Sequence, residues 1–171
     1  MISNIVLTGF MGTGKSSVGK ELSKIRGMTF VDTDDEIAKR YGPIDKIFGD
    51  HGEEYFRECE RLIVRQVASL SAVVIATGGG AVLDPRNVEV LSDSGEIFCL
   101  VASPKEIVKR LTKDKGIKIR PLLISENPFG AIHELLADRQ NIYEQFAQFE
   151  TGGKSPLEIA LKINAVINDK N

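Results

Sequence analysis

Short apolar runs of strand length alternate along the chain with stretches whose apolar residues recur at helical spacing. The runs are Ile5-Val6-Leu7, Met28-Thr29-Phe30-Val31, Val73-Val74-Ile75-Ala76 and Ile97-Phe98-Cys99-Leu100-Val101, with a fifth strand expected near Phe149 to Thr151. Alternation of this kind predicts βαβ units. Each run is continuously apolar, so both faces of the sheet must be covered by helices. The expected fold is α/β, a three-layer α/β/α sandwich around a central parallel five-stranded sheet.

Four helix starts are marked by a capping side chain followed by proline at the first helical position: Asp84-Pro85, Ser103-Pro104, Asn127-Pro128 and Ser155-Pro156. Ser103 with Glu106, and Ser155 with Glu158, have the spacing of a capping box. A helix from about Gly52 to Leu70 places Phe56, Cys59, Ile63, Val67 and Leu70 on one stripe and leaves Arg57, Arg61 and Arg65 off it. Thr112 to Ile119 is polar, contains glycine and lacks periodicity, which is the pattern of a mobile loop. No repeat or linker interrupts the 171 residues, so a single domain over 1–171 is expected.

Composition narrows the partner. With 22 basic against 24 acidic side chains and 42% apolar residues, the chain can bury an ordinary core and carries no basic surplus. A nucleic acid or an anionic membrane surface is thus a poor fit as main partner, and a monomer acting on small molecules is expected. Its two cysteines, Cys59 and Cys99, lie in apolar patterns and fit a reduced, cytoplasmic protein. Met1-Ile2-Ser3-Asn4 has no basic flank and the apolar stretch stops at Gly9, so neither a secretion signal nor a membrane span is expected. His51 and His133 have no further ligands at metal-binding spacing.

Gly9-Phe10-Met11-Gly12-Thr13-Gly14-Lys15-Ser16 matches GxxxxGKS, directly after the first strand and before the helical pattern of Ser17 to Ile25. Such a loop curls its N–H groups around phosphate oxygens, brings a lysine to the outer phosphates and offers a hydroxyl to Mg²⁺. Nucleoside triphosphate binding follows. No NKxD element of a guanine switch is present, which favours a small kinase.

The acceptor side is expected at the same sheet edge. Asp32-Thr33-Asp34 ends the second strand, with Asp32 suited to a water-mediated place near the metal and Asp34 to an acceptor hydroxyl; helix capping is the simpler alternative. Thr77-Gly78-Gly79-Gly80 ends the third strand, either as a loose turn or to let a ligand approach the backbone. Arg139 falls inside the apolar stripe of Ile132, Leu135, Leu136, Ile142, Tyr143 and Phe146, where it is either half of a buried ion pair or a cation aimed at an anionic substrate. Arg57 has Glu60 three residues on as an orienting partner, and Arg120, closing the polar loop, could stabilise charge during phosphoryl transfer. A kinase for gluconate or a nucleotide, or a non-catalytic nucleotide-binding module, fits the same residues.

Together GFMGTGKS at 9–16, Asp32-Thr33-Asp34, Phe56-Arg57 with Glu60, Gly78-Gly79-Gly80-Ala81-Val82, Arg120-Pro121-Leu122-Leu123, and Arg139 with Tyr143 resemble the shikimate kinase family, P-loop enzymes with the nucleoside monophosphate kinase fold. The resemblance implies phosphorylation of the 3-hydroxyl of shikimate by ATP with Mg²⁺, a step toward aromatic amino acids. It implies ATP binding by Gly12, Thr13, Gly14, Lys15, Ser16, Ser17, Arg110 and Arg120, metal binding by Ser16 and Asp32, and shikimate binding by Asp34, Arg57, Gly79, Gly80 and Arg139. Lys15, Asp34 and Arg120 would be catalytic. A substrate-binding region at about 33–61 and a lid at about 112–125 are implied too. Where relatives often offer an arginine to the adenine, this chain has Gly152-Gly153-Lys154-Ser155, leaving Lys154 for that contact.

Overall fold

The computed structural model describes residues 3–113 and 127–170. Among them, five strands form one sheet: β1 (Asn4–Thr8), β2 (Thr29–Asp32), β3 (Val73–Ala76), β4 (Gly95–Val101) and β5 (Ala147–Glu150), in spatial order β2-β3-β1-β4-β5. Every neighbouring pair is parallel, and Val6 of β1 faces Ile75 on one side and Ile97 on the other. The expected sheet is thus present. Its fifth strand begins two residues earlier than expected, because β5 is an edge strand with exposed Gln148 and Glu150 that break the apolar pattern.

The helices are α1 (Lys15–Arg26), α2 (Thr33–Tyr41), α3 (Ile44–Ala68), α4 (Pro85–Ser94), α5 (Pro104–Lys113), α6 (Pro128–Tyr143) and α7 (Pro156–Asp169). Asp84, Asn127 and Ser155 cap α4, α6 and α7 through their side chains. Ser155 and Glu158 form both halves of the capping box. At Ser103 only half of the expected box forms: Ser103 Oγ accepts from Glu106 N at 3.3 Å, while the Glu106 carboxylate turns to Arg110 Nε at 3.0 Å.

The segment expected as one helix from Gly52 starts earlier, at Ile44, and Gly52 breaks it with a left-handed φ of 82°. The break lets Phe48 pack on Phe56, ring centroids 4.7 Å apart, while both halves of α3 line one crevice. Leu70 lies past the helix end and is 46% exposed, so it does not belong to the buried stripe.

Alternate residues of each central strand enter opposite layers, as strand geometry requires. Val6, Val73, Ile75 and Ile97 pack under α2, α3 and α4 against Ile37, Ile63 and Leu91. Ile5, Leu7, Val74, Phe98 and Leu100 pack under α1 and α7 against Leu22, Ile159 and Ile163. A third cluster of Phe10, Met11, Cys99, Ile107, Ile132 and Tyr143 supports the carboxyl edge from below. Among the described residues no helix is long and apolar enough to cross a membrane.

One buried polar side chain fastens the opposite edge. Asn4 is 2% exposed, donates to Leu70 O at 2.8 Å and accepts from Val73 N at 3.1 Å, pinning the α3–β3 turn to β1. Asn4→Ala leaves the Val73 N–H unpaired in the core and frees the partly buried Leu70 O, and a loss of about 1–3 kcal/mol in urea unfolding is expected.

Candidate active site

Three adjacent strands deliver the reactive groups to the carboxyl edge: β2 ends in Asp32, β3 in the glycine loop and β1 in the phosphate loop. Gly9 leaves β1 with φ 131°, and a Cβ there would fall 2.1 Å from Leu100 O, so only glycine can pass. Thr13 Oγ1 donates to Phe10 O at 2.7 Å and closes the loop. Gly14, at φ 96°, admits the chain to α1, whose first turn holds no acidic residue to neutralise its positive end. Lys15 is 9% exposed and its Nζ donates to Gly9 O and Phe10 O at 2.8 and 2.9 Å. The helix begins at Lys15, two residues before the expected Ser17, so Ser16 and Ser17 stand exposed in its first turn.

Ser16 Oγ donates to Asp32 Oδ2 at 2.5 Å, while Asp32 Oδ1 accepts from Asp34 N at 3.0 Å. The capping expected as the simpler reading is present, and it leaves Asp32 Oδ2 on Ser16, with Asp34 in the first turn of α2. Among the described residues no three His, Cys, Asp or Glu side chains gather as metal ligands. A cation here would take only Ser16 and Asp32 from the protein, and its remaining ligands from phosphate and water, which suits Mg²⁺.

A crevice of about 510 Å³ runs from this loop to the ends of β4 and β5. Arg110 is held in its wall by four hydrogen bonds: Nε on Glu106, one terminal nitrogen on Gly12 O and Thr151 Oγ1 at 3.2 and 3.0 Å, the other on Thr151 O at 2.8 Å. It ties the phosphate loop to the turn after β5. Lys154 lines the same crevice and donates to Glu150 O at 2.8 Å. Arg120 and residues 114–125 of the expected lid lie outside the described residues.

The second crevice, about 520 Å³, is lined by Asp34, Phe48, Arg57, Glu60, the glycine loop and Arg139. Arg57 is held twice: Glu53 Oε1 accepts from Nε and a terminal nitrogen at 3.3 and 3.0 Å, and Glu60 Oε2 from the other at 2.9 Å. One N–H on each terminal nitrogen remains, a fork suited to a carboxylate. Gly80 lies against it, for a Cβ there would sit 2.6 and 2.8 Å from the two nitrogens. Arg139 is 6% exposed, its guanidinium 5.6 Å from the Phe10 ring, and no carboxylate among the described residues pairs with it. Among the described residues Arg139 is therefore a buried cation that lines the crevice without an ion-pair partner.

Glu60 is 1% exposed. Burial pushes its carboxyl pKa up, the Arg57 charge opposes this, and Asp34 and Asp84 add to the rise. Glu60 Oε1 has no hydrogen-bond partner among the described residues. A Cβ on Gly78 would fall 2.6 Å from Asp34 Oδ1 and 3.0 Å from this Glu60 oxygen, so the absent side chain leaves room for both. Thr33 Oγ1, fully buried, accepts from Gly78 N at 2.8 Å and joins α2 to the glycine loop. The two crevices meet at Met11, Ser16, Asp32, Asp34 and Gly79.

Glu53 and Thr33 hold the crevice wall together in ways to which the sequence motifs assign no role. Glu53 was visible only as an acid four residues before an arginine; a buried threonine bonding to a distant loop leaves no sequence signal. The His51 ring lies tilted against Tyr55, centroids 4.7 Å apart, and His133 is exposed.

The family model described as shikimate kinase matches residues 11–168. The chain is 46% identical over 165 residues to a shikimate kinase of Thermodesulfovibrio yellowstonii, covering 95% of this chain and 93% of that protein. It is also 46% identical over 144 residues to one of Caldicellulosiruptor saccharolyticus, covering 84% and 82%. The solved structure of shikimate kinase from Acinetobacter baumannii in complex with shikimate superposes with TM-score 0.94 at 35% identity, covering 100% of this chain and 96% of that one. A gluconokinase from Sinorhizobium meliloti, at 18% identity and TM-score 0.64, shares the fold. With the phosphate loop, the clamped Arg57 and the unpaired Arg139 on one sheet edge, the chain belongs to the shikimate kinase family.

Proposed function

We propose that the chain transfers the γ-phosphoryl group of ATP to the 3-hydroxyl of shikimate, giving ADP and shikimate 3-phosphate. The observation that carries this reading is the meeting of two crevices at Ser16, Asp32, Asp34 and Gly79, one built on a phosphate loop and the other holding two arginines and Asp34. A carboxylate-bearing polyol fits that second crevice: cations for its carboxylate, a carboxylate for its hydroxyls.

In this reading Arg139 and the free fork of Arg57 hold the acceptor carboxylate, Gly79 and Gly80 give backbone contacts, and Asp34 orients the hydroxyl and takes its proton. Gly12 to Ser17 cradle the phosphates, with Lys15 on the outer oxygens. Arg110 and Lys154 flank the nucleoside. Ser16 and Asp32 would hold Mg²⁺, which when bound neutralises charge on the β- and γ-phosphates. The chain acts as one cytoplasmic, monomeric domain over 1–171, with residues about 33–61 binding the acceptor and a lid at about 112–125 bringing Arg120 over the phosphates and excluding water.

ADP release with MgATP is expected to rise steeply on adding shikimate and not on adding gluconate; no stimulation by either would refute the acceptor assignment. Arg139→Ala should raise the shikimate KM about ten- to a hundredfold, equivalent to roughly 1.5–3 kcal/mol, and leave the ATP KM within twofold. Gly80→Ala tests the fork separately. Gly80 has φ −101°, which alanine adopts freely, so the fold should persist while acceptor affinity drops about tenfold.

Glu60 supplies a pH test. Its folded-state pKa is raised above the ordinary 4.5, so the folded chain holds that proton more tightly than the unfolded chain does. The resulting stability is fully present below the ordinary value and lost as pH rises through the folded one. Wild type should therefore gain stability relative to Glu60→Gln as pH falls from 7 toward 4.5, read by chemical denaturation, while the variant binds shikimate more weakly. A flat difference would show that burial of Glu60 is not limiting.

A further inference from the structure

Tyr143 closes α6 one turn beyond Arg139, is 4% exposed, and donates its hydroxyl to Gly79 O at 2.7 Å. No step of the proposed reaction uses it. The carbonyl it holds belongs to the Gly79–Gly80 peptide, and in a planar trans unit the N–H of Gly80 points opposite to that oxygen. Gly79 and Gly80 line the acceptor crevice and Tyr143 is not among the residues given for it, so a carbonyl held by Tyr143 leaves the Gly80 N–H on the opposite side of the peptide from Tyr143.

The neighbouring backbone groups of the glycine loop are occupied. Gly78 N donates to Thr33 Oγ1, Gly78 O accepts from Ala81 N at 3.1 Å and Gly80 O from Leu83 N at 3.0 Å. Among the described residues, the N–H groups of Gly79 and Gly80 have no protein acceptor. We infer that Tyr143 is a positioning residue for the acceptor: by holding Gly79 O and lying beside Arg139, it presents the Gly80 N–H and the Arg139 guanidinium to the acceptor as one preorganised unit.

The hydroxyl suits that task. Burial pushes its pKa up to about 12, with the adjacent Arg139 charge opposing the rise, so it remains a donor at every working pH. The positive charge beside the phenol polarises its O–H, which strengthens the bond to Gly79 O and makes the N–H of the same peptide a better donor. The aromatic ring itself packs with Phe10, Cys99 and Ile132, so Tyr143→Phe keeps the packing and deletes only the hydroxyl.

The inference rests on the proposed acceptor, and its test separates the two. In Tyr143→Phe the shikimate KM should rise about three- to tenfold with the ATP KM unchanged. In an Arg139→Ala background the same change should cost less than twofold, because the unit is already broken; in an Arg57→Ala background it should keep its full effect. An unchanged KM, or an equal effect in both backgrounds, would overturn the inference and leave Tyr143 a packing residue. The ligand-free protein gives a second readout: the Gly80 amide resonance should shift and exchange faster with solvent in Tyr143→Phe. If wild type fails to turn over shikimate, the acceptor assignment falls, and an unmoved Gly80 amide alone would then refute the role of Tyr143.

Discussion

The position of β1 in the middle of the sheet, with β3 on one side and β4 on the other, governs where every reactive group can stand. The phosphate loop springs from β1 and so lies at the centre of the carboxyl edge. Asp34 and the glycine loop, from the β2 and β3 side, fall to one flank; Arg110 and Lys154, from the β4 and β5 side, fall to the other. The two crevices thus lie on opposite flanks and meet over the loop, with Arg139 of α6 reaching across from the β4 and β5 side to line the one that holds Arg57. The approach of Gly9 to Leu100 O fixes the height of the loop above this edge.

The acceptor flank concentrates charge in a dry wall. Arg57, Glu60 and Arg139 are all largely removed from water, and such groups cost stability unless paired. Their treatment differs. Arg57 is paired with two glutamates, which spends three of its five N–H groups and aims the remaining two. Arg139 receives an aromatic face and a phenol in place of a carboxylate, so its charge is uncompensated within the described chain. An anion arriving here relieves a strain already present in the folded protein, a common feature of sites that bind charged ligands in low dielectric.

Much of this was legible in the sequence for physical reasons. Parallel strands covered on both faces must be continuously apolar, and β1, β3 and β4 are. The phosphate loop needs glycines at fixed offsets. Proline after a capping side chain announced α4, α5, α6 and α7. What escaped were features decided in three dimensions. The two-sided clamp on Arg57 needs the helix break at Gly52 to start a new first turn at Glu53. The half-formed box at Ser103 reflects competition between a backbone N–H and Arg110 for one carboxylate. Helix α2 is short and polar at its start, and its Asp34 reads equally as a strand end. Whether Arg139 was paired could be settled only by seeing its surroundings.

Asp32 divides its two oxygens between Ser16 of the nucleotide loop and the backbone N–H of Asp34 in α2. A cation or phosphate that draws on Ser16 must disturb the first of these bonds, and the carboxylate that feels it is the N-cap of α2, the helix that carries Asp34. Occupancy of one flank is thereby linked energetically to the set of the other. Linkage of this kind is reciprocal: whatever a change at Ser16 does to the set of Asp34, a change at Asp34 returns to Ser16 in equal measure, through a single side chain.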